Sequence, residues 1–262
     1  MSFREEITNL LVFVNSLDKN EDDINIERHL SEGCSFSKVP ILTLGSLAVV
    51  YLLFPDSIAG FPNVDKKGCH LFDTPIRNNE KKQEDILNDI CEQMCVVSSN
   101  IKTQISYIMG ELIDNIHEHS LSSKCFVGYT VNSARNRLYM CFADNGQTIP
   151  GSYVSDRLQR YTAEIAGDES KALRYSIQGR STKERGTVNR GYGLSTSIEL
   201  VTKQLEGSIA ILTSNILFVE SDNSVSEIFN MPEGYSVDGT LILVEIPLKE
   251  LAWETLYKLF EH

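Results

Sequence analysis

At 262 residues, 42% hydrophobic and 23% charged, the chain carries enough apolar content for a substantial core, in one large domain or two smaller ones. Its formal net charge of −12 leaves no surplus of Lys and Arg for a phosphate backbone, which argues against broad nucleic-acid binding. Six cysteines with no Cys-x-x-Cys pair, and no secretory signal pattern ahead of them, are the expectation for reduced thiols in a cytoplasm.

Residues 2–17 read as an amphipathic helix, with Ser2 and Glu5 in capping-box spacing and Phe3, Ile7, Leu10, Val14 and Leu17 on one face. The most apolar run, residues 40–55 (PILTLGSLAVVYLLFP), is bounded by prolines and is shorter than the roughly 20 residues a membrane-spanning helix needs. It reads as core, and no membrane partner is expected. Residues 61–85 turn loop-like and charged, which places a domain boundary there: a smaller N-terminal domain over 1–85 and a second domain over 86–262.

Helical spacing then runs through residues 86–94 and 101–119, where Ile101, Ile105, Ile108, Leu112 and Ile116 form one apolar stripe. Strands follow at 125–131 and 138–143, joined by the turn NSARN. In the second of these Leu138, Met140 and Phe142 alternate with Tyr139, Cys141 and Ala143, so both faces are apolar, as in a central strand covered on both sides. A long polar segment occupies residues 150–190. A helix over 194–205, strands near 208–213 and 240–246, and a C-terminal helix ending in LYKLF complete an α+β pattern of a sheet layered with helices.

Four short motifs carry chemistry. Glu111 and Asn115 sit one turn apart, about 100° from the apolar stripe, where a carboxylate can take a proton from a nucleophile and an amide oxygen can bind magnesium. Alone, such a pair is most often a solvated one. Asp144 and Gly146 follow the central strand in DNGQTIPGSY, where a carboxylate can accept from an exocyclic amine and a glycine lets backbone come close; a plain Asn-Gly turn is the simpler reading of that motif by itself. RGYGLSTS, with Arg190, Gly191, Gly193 and Leu194, runs into an apolar helix and can face a phosphate chain or be an ordinary glycine turn. Thr240 opens the apolar strand GTLILVEIP. Between the second and third motifs, residues 151–190 hold eight basic side chains against five acidic ones, a local +3 in a chain of −12. Arg180, Lys183 and Arg185 are the cations nearest the glycine loop, so the segment suits either a lid over a polyphosphate or a polar surface loop.

Glu-x-x-x-Asn on a helix, Asp-x-Gly after a strand, Gly-x-Gly-Leu before a helix and Gly-Thr at a late strand, in that order, resemble the GHKL ATPase superfamily, the Bergerat-fold group of gyrase, heat-shock chaperone, histidine-kinase and mismatch-repair proteins. The resemblance covers about residues 86–248. It implies a Bergerat-type α/β sandwich, a mixed β-sheet with helices on one face, and a site for ATP and Mg2+ beneath a mobile lid. By position it makes Glu111 the catalytic base or water-orienting carboxylate, Asn115 the metal ligand, Asp144 the adenine contact and Gly146 the point where the base approaches. Gly191, Gly193 and Leu194 would shape the phosphate loop, with Lys183 and Arg190 as nearby cations, and Thr240 would support Asp144. Thr148 departs from the pattern, standing where a second glycine is common. The expected activity is ATP hydrolysis or phosphorylation of a regulatory protein partner, the alternative being a nucleotide-binding interaction module or conformational switch with little catalysis; a homodimer stays open.

Overall fold

The computed structural model describes residues 68–73, 80–94, 99–122, 124–155, 160–180, 193–222, 224–231 and 236–248. The helix expected over 2–17, the apolar run 40–55, the C-terminal helix and most of the expected N-terminal domain lie outside the described residues.

Seven strands form one sheet: β1 (Cys69–Asp73), β2 (Lys124–Asn132), β3 (Arg137–Asp144), β4 (Ser208–Ser214), β5 (Ile216–Ser221), β6 (Glu227–Asn230) and β7 (Val237–Pro247). Their order is β1-β2-β3-β7-β4-β5-β6, and each described ladder is antiparallel. The expected mixed sheet is therefore corrected. The chain does cross over from β3 through helices to β4, and those two strands run in the same direction. They are not neighbours, because β7 lies between them and is antiparallel to both.

The helices are α1 (Glu80–Gln93), α2 (Ser99–His119), α3 (Ile149–Val154), α4 (Thr162–Ile165), α5 (Glu169–Ile177) and α6 (Gly193–Glu199), the last continuing as a π-helical turn over Leu200–Gln204. The apolar stripe of α2 is buried throughout, Ile105, Ile108 and Leu112 completely. Each such side chain contributes roughly 1.5–3 kcal/mol relative to exposure. It packs with Ile86 and Ile90 of α1 and Leu200 and Val201 of the π-helical turn onto one face of the sheet, made by Val127, Met140, Phe142, Ile211, Ile242 and Val244. The opposite face, including Phe126, Tyr139, Cys141, Leu241 and Leu243, is buried as well. The two-sided apolar pattern of β3 thus corresponds to a strand with both faces out of water.

Two segments differ from their sequence reading. The boundary expected at residue 85 falls inside α1, and β1 pairs along its length with β2, so the described residues 69–73 and 80–84, on its N-terminal side, belong to the sheet and its helix layer. Charge concealed this: α1 is polar except for Ile86, Leu87 and Ile90 on its buried side. The polar segment 150–190 contains α3, α4 and α5, held by a small core of Tyr153, Ile165 and Ala172 with Tyr161 and Tyr175 packed on it. Each of these helices has nine residues or fewer and one or two buried residues, too few to register a 3.6-residue period. Among the described residues no helix is long and apolar enough to cross a membrane.

Candidate functional site

Residues 140, 142 and 144 of β3 share the face on which α2 packs. Asp144 ends that row and is 2% exposed. Burial pushes its carboxyl up to about 7, opposed by the Gly146 N–H, which donates to Oδ1 at 3.0 Å, and by the Ser120 hydroxyl. Directly across the ladder from Asp144 lies Thr240, and across from Thr240 lies Thr213. The Thr213 hydroxyl donates to the Gly239 carbonyl at 3.1 Å, accepts the Ile149 N–H at 3.0 Å and is 3.3 Å from the Thr240 hydroxyl. Three strands therefore present a buried polar row, Asp144–Thr240–Thr213, to the helix side of an otherwise apolar sheet.

The loop after β3 is clamped to the end of α2. A Cβ on Gly146 would stand 2.0 Å from the Ser120 carbonyl oxygen and 2.8 Å from the Ser122 amide nitrogen, both backbone. The Gln147 N–H donates to that same carbonyl, and the Ser122 hydroxyl donates to Asn145 Oδ1 at 2.7 Å. The glycine is needed here for the chain's own close approach, whatever else meets it. Gly239 is under a stronger constraint: its φ is +93°, and a Cβ would meet the Asp144 carbonyl at 1.8 Å.

The second corner of the site lies further back on α2. A Cβ on Gly193 would fall 2.5 Å from Glu111 Oε2 and within 3.2 Å of both amide atoms of Asn115. The start of α6 thus abuts the Glu111–Asn115 pair, and Leu194 anchors it in the core. The side-chain nitrogen of Asn115 is buried and has no hydrogen-bond partner. The unpartnered Asn115 Nδ2 is a donor left over for an acceptor such as a phosphate oxygen, beside the Glu111 carboxylate and bare glycine backbone. Among the described residues no cluster of three or more His, Cys, Asp or Glu could hold a metal ion. One amide fits magnesium, which keeps waters and takes its other ligands from phosphates, better than an ion caged wholly by protein.

Ser120 lies nine steps along the chain from Glu111, so the two corners stand roughly 13.5 Å apart along α2 at 1.5 Å per residue. Of the expected site residues, Glu111, Asn115, Asp144, Gly146, Gly193, Leu194 and Thr240 line or support this strip; Lys183, Arg190 and Gly191 lie outside the described residues. Ser120 and Thr213 went unnoticed in the sequence, and Gly239 was read only as part of the Gly-Thr motif. Its place in a strand, where glycine is otherwise unfavourable, was the further signal of a close backbone approach, whereas Thr213 is an ordinary strand threonine until its neighbour is known. Arg180, one of the cations nearest the glycine loop, stacks 4.1 Å over the Tyr175 ring and pairs with Glu164 at 3.7 Å.

Thr148 has a local explanation. Its φ of −64° requires no glycine, and its hydroxyl accepts the Gly151 N–H at 3.0 Å as the N-cap of α3, ahead of Pro150. Thr148→Ala should cost about 1 kcal/mol and Thr148→Gly only a few tenths; urea unfolding of the two variants checks the ranking.

Comparison with protein-family models and with curated proteins finds no match for this chain.

Proposed function

We propose that this domain binds ATP with magnesium and transfers or hydrolyses its γ-phosphoryl group, in the manner of the GHKL ATPases that its motifs resemble. The observation that carries this reading is the pairing of two unlike corners along one helix: a buried carboxylate flanked by threonines at one end, and a carboxylate with an amide against bare glycine backbone at the other. An elongated ligand with a hydrogen-bonding base and a polyphosphate matches that strip in length and chemistry. Asp144 would accept from the adenine amine, with Thr240 held in place by Thr213. Glu111 would take the proton from the attacking water or protein hydroxyl, and Asn115 would hold the magnesium ion, which neutralises charge on the phosphates. A Bergerat-like layering, with the antiparallel sheet in place of the mixed one, and a regulatory protein as phosphoryl acceptor belong to the same proposal.

Incubation with γ-labelled ATP, with and without cell lysate, tests it. Released phosphate identifies an ATPase, label on a protein identifies a kinase, and neither product contradicts catalysis. Gly193→Ala supplies a sharper check. Its new methyl meets the mobile end of Glu111, so stability should change by less than about 1 kcal/mol. Turnover should fall on the order of 10²-fold, because the displaced carboxylate loses its alignment.

A further inference from the structure

Tyr107 lies one turn before Glu111 and two before Asn115, a row at four-residue spacing on α2. It is half-buried. Burial and the nearby Glu111 carboxylate hold its phenol proton more firmly than usual, while a hydrogen bond with the Thr196 side chain acts the other way. Thr196 sits on α6, three residues after the glycine whose backbone abuts Glu111. The same two helices carry buried polar atoms with no partner, Oε1 of Gln104 on α2 and Oγ of Ser197 on α6.

We propose that Tyr107 is a positioning residue: through its hydrogen bond to Thr196 it fixes the first turn of α6 on α2, and so fixes the Gly193 backbone against the Glu111 carboxylate. This rests on the reading of Glu111 as the base. The ring fills space and the hydroxyl sets the register of the two helices, so Tyr107→Phe keeps the packing and removes the tie. Thr196→Val removes the same tie from the other side at nearly equal volume. Because both substitutions delete one interaction, their effects should not multiply.

The test uses the full chain with Tyr107→Phe, Thr196→Val, the double variant and Thr196→Ser. Each of the first two should lower kcat about tenfold, the cost of a slightly misplaced reacting group, with the ATP dissociation constant nearly unchanged. The double variant should lose no more than either single, and Thr196→Ser should behave as wild type. In nucleotide-free protein, amide exchange at residues 197–199 should speed up several-fold in both single variants while β7 is unaffected. Unchanged exchange in both, or losses in kcat that multiply in the double variant, would overturn the proposal. Wild-type turnover in Glu111→Gln would instead overturn the reading of the base, and the exchange measurement separates the two failures.

Discussion

Asp144→Asn is expected to make the protein more stable above neutral pH while abolishing selective ATP binding. Burial, as the main cause, pushes the carboxyl of Asp144 from its ordinary value of 3.8 up to about 7 in the folded protein. Between those values the unfolded chain has lost this proton and the folded chain retains it, so the contribution of Asp144 to stability falls as pH rises from about 4 to about 7 and is level above. Three pKa units at about 1.4 kcal/mol each put the penalty on the order of 4 kcal/mol. The asparagine amide keeps the shape and an acceptor for the Gly146 N–H, and so should recover about 1–3 kcal/mol of it at pH 8 and almost nothing at pH 4. Denaturant midpoints of wild type and variant across that range give the difference curve directly. A variant less stable than wild type at pH 8 would mean the buried charge is compensated by more than Gly146 and Ser120.

Glu111→Gln should lower turnover by about 10²–10⁴, the usual contribution of a positioned general base, with ATP affinity within a few-fold of wild type. Glutamine preserves size and hydrogen-bonding reach, so α2 and the Gly193 contact are retained and the lost element is proton acceptance. Asn115→Ala should do the opposite, weakening magnesium-dependent binding. Single-turnover phosphate release set beside calorimetric affinities distinguishes the two corners. Equal loss of affinity in both variants would show that the pair acts only in binding.

The sequence revealed most where one periodicity ran long. The 21-residue α2 showed its buried stripe and, turned from it, the row of Glu111 and Asn115 that meets Gly193. The two-sided pattern of β3 foretold a strand buried on both faces, and Asp144 at its end was identified from the turn that follows. Elements with less repetition stayed hidden: α3, α4 and α5 bury one or two side chains each, and β1 and β6 span five and four residues. Sheet order was beyond reach for another reason. That β7 enters between β3 and β4 is a fact about contacts distant in sequence, and it decides both the antiparallel ladders and the partnership of Thr213 with Thr240. Thr148 shows the converse case, where a departure from a motif is explained by the residue's own role as a helix cap, bonded to an N–H only three residues away.

The most direct measurement is a calorimetric titration of ATP and GTP, each with magnesium, into the wild-type protein and Asp144→Asn. The expected result is saturable binding of ATP to the wild type, a clear preference over GTP, and loss of that preference in a variant shown by its unfolding curve to be folded and at least as stable. Absence of binding to the wild type, or an ATP preference unchanged in Asp144→Asn, would contradict an adenine nucleotide held at the end of β3.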